Sequence, residues 1–245
     1  MRIPRIYTEQ SLQINHSIAL EEEASQYLGR VLRTRPGDPI VLFNDTGFEF
    51  TGVIQKLSKN TVDVQITQAY SPPTESPLCI TLGLVISKGD RMDFAIQKAC
   101  ELGTSHIWPL TSRYCDVRLD QERAEKRVAH WQKVAISASE QSGRTRVATL
   151  HPVTKLEEWL AITTADIRLV AHPGNGSALS PQRCSPATVT LLIGPEGGLH
   201  DAEITAAEAA GFLRLTLGPR ILRTETAPLV AISILQHIWG DLSNV

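Results

Sequence analysis

The rhythm of apolar and polar residues changes near residue 75. Upstream, 38–43, 49–57 and 61–69 alternate and are rich in β-branched residues, with Gly and Asn between them. A period of two predicts half-buried strands joined by tight turns. A helix over about 21–33 precedes them. Short strands at this spacing suggest a small β-barrel. Then comes Ser71-Pro-Pro-Thr-Glu-Ser-Pro77, whose three prolines in seven residues stop any helix or central strand.

Downstream, strands and helices take turns. Strands are expected at 79–86, 106–110, 167–171, 188–193 and 213–217. Helices are expected at 91–102, 121–141, 156–161, 201–210 and 225–239. In 91–102, Met92, Ala95, Ile96, Ala99 and Leu102 share one face. This is an α/β layout with a mainly parallel sheet, a fold that binds ligands at the carboxyl ends of its strands. The organisation is therefore a β domain over 1–70, a linker over 71–77 and an α/β domain over 78–245.

Two loops at such strand ends stand out. Gly194-Pro195-Glu196-Gly197-Gly198 follows the apolar strand 188–193. One strained turn explains one glycine; P-E-G-G implies backbone groups bared to a ligand. No G-x-G-x-x-G and no G-K-[ST] is present, so neither a dinucleotide fingerprint nor a P-loop applies. The second loop runs Gly218-Pro219-Arg220-Ile221-Leu222-Arg223-Thr224-Glu225-Thr226-Ala227. A helix starts near Thr224 or Thr226, either of which suits an N-cap. Arg220 and Arg223 lie beside that positive helix end. Ile221 and Leu222 between them need an apolar surface to cover.

Composition narrows the class. Apolar residues make up 42% and charged residues 20%, as in an ordinary soluble protein. A formal net charge of −2 speaks against a dedicated nucleic-acid coat but leaves room for a local basic face. The four cysteines, at 79, 100, 115 and 184, have no C-x-x-C spacing, and the histidines no H-x-x-x-H. Neither a metal site nor a disulfide framework is expected; the thiols read as reduced. The opening MRIPRIYTEQ lacks the apolar core of a signal peptide. The longest apolar stretch, 227–239, is too short and too interrupted to span a bilayer. A cytoplasmic protein without a membrane segment is expected.

The two loops, in this order, resemble the SPOUT class of RNA methyltransferases and more closely the RsmE family. The likeness spans the chain: GDPIVLFN near the start, then Ser87-Lys88-Gly89-Asp90-Arg91-Met92-Asp93, Gln97-Lys98 and Glu101-Leu102-Gly103. Glu140-Gln141-Ser142-Gly143-Arg144, GPEGG and LGPRILRTETA complete it. The resemblance implies a parallel-sheet domain with a deep trefoil knot, preceded by a PUA-like RNA-binding barrel. It implies a homodimer that uses S-adenosyl-L-methionine to methylate N3 of a uridine in 16S rRNA, within the small ribosomal subunit. The apolar last helix, 229–239, suits a dimer interface.

Carried over residue by residue, the donor pocket comprises His172, Gly194, Glu196, Gly197, Gly198, Leu217, Gly218, Ile221, Leu222 and Arg223. His200 stands where the family often has Ser or Thr, and Asp201 is expected to take over the cap. N3 methylation requires removal of a weakly acidic proton and stabilisation of charge on the uracil oxygens. Arg144, Arg223 and Arg220 are candidates for the charge, with Arg144 and Arg223 preferred. Glu196, Glu225 and Glu101 are candidates for the base. Arg2, Arg5, Arg30, Arg33, Arg35, Arg113 and Arg146, with Arg118, are candidates for RNA phosphates. A methyltransferase for another rRNA or tRNA base, a nucleotide-binding regulator and an RNA-binding translation accessory protein are the alternatives.

Overall fold

The computed structural model describes residues 3–58, 60–174 and 186–243. Arg2 and Cys184 lie outside the described residues. The chain divides into two compact units, the first formed by residues up to Glu75 together with Ser139–Val147, the second by Ser76–Ala138 and Ala148 onward.

The first unit contains β1 (Arg5–Tyr7), β2 (Ser17–Ala19), α1 (Glu22–Gln26), β3 (Pro39–Phe43), β4 (Glu49–Leu57) and β5 (Val62–Tyr70). They form one sheet in the order β1-β3-β4-β5-β2, parallel at β1–β3 and antiparallel elsewhere. Alternation drives the core: Ile40 and Leu42, Phe50 and Ile54, then Val62, Val64 and Ile66 face inward at every second position. Among the described residues β1 and β2 do not pair with each other, so the ladder expected to close as a barrel stays open. The helix expected over 21–33 is α1 followed by a π-helical turn, Tyr27–Val31, and ends at Arg33, whose φ is +52°.

Residues 139–147 join this unit through its own acidic side chains, which a continuous division at 70 and 78 does not anticipate. Glu75 Oε1 accepts Thr145 N at 2.8 Å and Arg146 N at 2.9 Å, while Oε2 accepts Arg144 Nη2 at 2.9 Å. Asp45 Oδ1 accepts Val147 N at 2.8 Å. Arg5 donates to the carbonyl oxygens of Ser139, Glu140 and Arg144 at 2.9–3.1 Å, ion-pairs with Glu49 and lies 4.8 Å over the Phe43 ring.

The second unit is built on β6 (Cys79–Val85), β7 (Thr104–Thr111), β8 (Thr149–Leu150), β9 (Thr154–Lys155), β10 (Ile167–Ala171), β11 (Thr188–Ile193) and β12 (Leu213–Leu215). Its sheet runs β12-β10-β11-β6-β7-β8, with β9 also on β7, and every pairing is parallel. Central β6 and β11 are buried nearly throughout, which is why they read as apolar runs. The helices are α2 (Arg91–Glu101), α3 (Gln121–Ser142), α4 (Leu156–Ile162), α5 (Asp201–Ala209) and α6 (Thr226–Trp239). Trp159, Leu160, Ile204, Ala207 and Phe212 pack on Val85, Leu110, Val170 and Leu192. Buried Gln236 of α6 donates to Leu102 O at 2.9 Å and accepts from Ser76 Oγ at 2.7 Å. β12 ends at Leu215, two residues short of expectation, where Thr216 Oγ1 turns to Gly174 O at 2.8 Å.

Gly83 is fixed by packing: a Cβ there would stand 2.4 Å from the ring of fully buried Trp159. Gly83→Ala should lower unfolding free energy by about 1–3 kcal/mol, read from the urea midpoint. His151, after β8, stacks on Trp108 with ring centroids 4.0 Å apart, and its Nε2 lies 3.3 Å from His106 Nδ1. Burial, and then His106, hold its pKa below the ordinary histidine value. The unfolded chain therefore binds the proton more readily, and this contribution to stability, full above about pH 6.5, is lost as pH falls from there. The urea midpoint should drop between pH 7 and 5, and His151→Phe should flatten that drop.

Candidate functional site

The carboxyl ends of β10, β11 and β12 open onto one cavity of about 530 Å³, contained in the second unit. Ala171, His172 and Pro173 enter it from the end of β10. Residues 193–199 enter from the end of β11, and Leu215, Leu217, Gly218 and residues 220–224 from the end of β12. All ten residues expected in a donor pocket line it: His172, Gly194, Glu196, Gly197, Gly198, Leu217, Gly218, Ile221, Leu222 and Arg223. The strand order explains the convergence. β10 lies between β11 and β12, so their three loops share one edge.

Local chemistry shapes the walls. Gly198 and Gly218 have φ of +74° and +83°, the left-handed region that favours glycine. Gly198 N donates to Pro195 O at 2.9 Å, closing the turn. Glu196 Oε1 accepts Arg91 Nη1 at 2.9 Å, tying the loop to the start of α2. The next helix, α5, is capped by His200 itself: its Nδ1 accepts Ala202 N at 3.1 Å, and Glu203 Oε2 accepts His200 N at 2.8 Å. Asp201 does not replace it, because an imidazole with an unprotonated Nδ1 offers the acceptor a cap needs. α6 has Glu225 at its N-cap with no side-chain cap bond, so neither Thr224 nor Thr226 caps it.

Ile221 is 85% exposed at the cavity wall, an apolar side chain with nothing over it. Among the described residues, the guanidinium groups of Arg220 and Arg223 have no hydrogen-bond or ion-pair partner. Arg91, Leu199, Leu215, Thr224 and Ala227 also line the cavity and were not anticipated. Arg91 stands in the quoted S-K-G-D-R-M-D stretch, but only the pairing of β6 with β11 brings that stretch beside the P-E-G-G loop.

Other expected residues are placed elsewhere. Arg144 belongs to the first unit, is 5% exposed and is held by Glu75. Arg5 is likewise turned inward, because Glu49 and three carbonyl oxygens take its donors. Arg30, Arg33, Arg35, Arg113 and Arg118 are exposed. Arg146 is exposed and donates to Asp45 O at 3.0 Å. Glu101 pairs with Lys98 at 2.7 Å and, like Glu225, is not a cavity residue, which leaves Glu196 as the cavity carboxylate. Among the described residues no three His, Cys, Asp or Glu side chains gather as a metal cluster, and no helix is long and apolar enough to cross a membrane.

Comparison with known proteins gives two family matches: an RNA methyltransferase domain over residues 74–236 and an RNA methyltransferase PUA domain over residues 20–67. Ribosomal RNA small subunit methyltransferase E of Buchnera aphidicola subsp. Schizaphis graminum is 38% identical over 99% of this chain and 99% of its own. The protein of the same name from Bacillus subtilis is 30% identical over 94% of this chain and 93% of its own. Among solved structures, a ribosomal RNA small subunit methyltransferase E from Neisseria gonorrhoeae bound to S-adenosyl methionine superposes with a TM-score of 0.93. It is 39% identical, over 98% of this chain and 100% of that one. A methyltransferase of Legionella pneumophila in complex with the same cofactor superposes with a TM-score of 0.94, at 39% identity, over 99% and 100%.

The cap at the end of the P-E-G-G loop can be tested alone. His200→Ala should cost about 1 kcal/mol of stability in urea denaturation, and His200→Asn, which keeps an acceptor, should recover most of it.

Proposed function

The chain belongs to the ribosomal RNA small subunit methyltransferase E family, and on that footing we propose that it moves the methyl group of S-adenosyl-L-methionine to N3 of a uridine in 16S rRNA. The observation that carries this is the single cavity in which three strand-end loops and all ten expected donor-pocket residues meet. The residues suit such a donor. Ile193, Leu199, Leu215, Leu217, Ile221 and Leu222 offer aliphatic surface for a purine face, and the glycine turns bare backbone groups for its edge. The exposed Ile221 supplies the clearest fit, since a flat ligand over it would remove that apolar surface from water. When bound, the donor supplies an electrophilic methyl carbon on a sulfonium.

The chain's own groups do the rest. Arg223, at the cavity wall with a guanidinium that has no partner among the described residues, stabilises charge growing on the uracil oxygens. Glu196, fixed by Arg91, is the cavity carboxylate that accepts the N3 proton. Arg144, the other arginine preferred for this charge, is paired with Glu75 at 2.9 Å and stays a candidate beside Arg223.

The knot, the dimer and the cytoplasmic setting belong to the same proposal. A trefoil knot is supported by three consecutive strands whose loops share one cavity, with β10 lying between the two that follow it. A homodimer over α6 is supported by its half-buried Leu229, Val230, Ile234 and Ile238. Arg30, Arg33, Arg35, Arg113 and Arg146, all exposed, are the RNA-contacting arginines.

Purified protein, labelled donor and small subunits from cells lacking the enzyme test the proposal. Label should appear on N3 of one 16S uridine, and Arg223→Ala should lower kcat by about 10²–10³. Label on another base would favour the alternative target, and failure to bind the donor would end the methyltransferase assignment.

A further inference from the structure

The loop joining β7 to α3 has no role in the chemistry above, yet it is held with care beside the cavity. Buried Glu203, 7% exposed, fastens it with one carboxylate: Oε1 accepts Arg113 N at 2.7 Å, and Oε2 accepts His200 N at 2.8 Å. Cys115 N donates to Ser112 O at 3.1 Å, and the Cys115 thiol reaches Ile86 O at 3.4 Å. The backbone on both sides of Tyr114 is thereby fixed.

Tyr114 itself is 47% exposed. Its stem is packed: a Cβ built on Gly197 would meet Tyr114 Cβ at 3.2 Å and Cγ at 3.8 Å. Its ring centroid lies 5.7 Å from that of His200, tilted by 57°. The arrangement is thus a fixed stem carrying a half-exposed aromatic residue next to Gly197, a residue of the cavity wall. Arg113 and Arg118 on the same loop are exposed, and their guanidinium groups have no partner among the described residues. Lys88 pairs with Asp116 at 2.7 Å and Arg123 with Asp120 at 3.4 Å, so both carboxylates of the loop are paired while its two arginine side chains are not. A half-exposed aromatic residue on a loop that also carries two exposed arginines matches unpaired RNA, whose bases stack on aromatics while its phosphates seek cations.

We propose that Tyr114 contacts the RNA substrate directly, its ring stacking on a nucleobase at the mouth of the cavity with Arg113 on a neighbouring phosphate. This rests on the methyltransferase assignment. It adds an RNA contact on a loop outside the three that form the donor site. The stacking needs the ring and not its hydroxyl.

The test uses the intact protein with small-subunit RNA as varied substrate and saturating donor. Tyr114→Leu keeps the stem atoms that touch Gly197 and removes the ring. It should raise KM for RNA about tenfold to a hundredfold, the size of one lost base stack, with donor Kd by calorimetry and melting temperature unchanged. Tyr114→Phe should behave as the wild type. An unchanged KM in Tyr114→Leu would overturn the proposal. So would a parallel loss of donor affinity and melting temperature, which would make the ring a prop for the Gly197 turn. A shift in sedimentation with KM intact would overturn it too, by making the ring a contact between copies. If the wild type transferred no methyl group, the functional assignment would fall. RNA retention on filters by wild type against Tyr114→Leu would then decide the stacking contact separately.

Discussion

Every strand of the second sheet points the same way, and the site follows from that constraint. A parallel sheet returns the chain to its starting edge after each strand, so all its carboxyl-terminal loops collect at the other edge. With β10 between β11 and β12, loops far apart in sequence become neighbours without any need to attract one another. The cavity is what remains between them. Beneath it the central strands β6 and β11 are buried nearly throughout.

Acidic side chains repeatedly complete what the ladders leave open. Glu203 joins the loop after β7 to the cap of α5. Glu75 and Asp45 gather the backbone N–H groups of residues 145–147. Asp166 Oδ2 accepts Ala187 N and Thr188 N at 2.9 Å, and the Thr188 N–H, with smaller help, lowers its pKa. Each bond joins a charged acceptor to a main-chain donor outside a ladder, where a charge-assisted hydrogen bond is worth more than a neutral one. Part of the chain's acidic excess is therefore taken up in holding the main chain, at exposed Asp45 and Asp166 as well as at buried Glu203.

Much of this was legible beforehand, and the exceptions have physical reasons. Strands buried on both faces announce themselves as apolar runs, and glycine-proline turns at their ends announce ligand loops. The three-residue edge strands β1 and β2 are too short to show a period. Arg91 and Leu215 at the cavity depend on strand order, which no local pattern encodes. An arginine reads as surface until its partner is known, and no local pattern names the partners of Arg5 and Arg144. Those partners, Glu49 and Glu75, lie 44 and 69 positions away along the chain. His200 looked like a poor cap because propensities count residue types, whereas the cap needs only one acceptor nitrogen in place.

The first unit is not contiguous, and that bears on how the protein is made. Its amino-terminal strands leave the ribosome first, but Glu75 and Asp45 gather backbone N–H groups of residues 145–147, and Arg5, already paired with Glu49, finds its carbonyl acceptors at 139, 140 and 144. Until Val147 has emerged, these main-chain bonds cannot form, although the apolar core residues of the unit are already synthesised. Domains usually complete in the order of synthesis. Here the amino-terminal unit is locked late, by a segment delivered at the end of α3, and its completion waits on translation of the first half of the unit that follows.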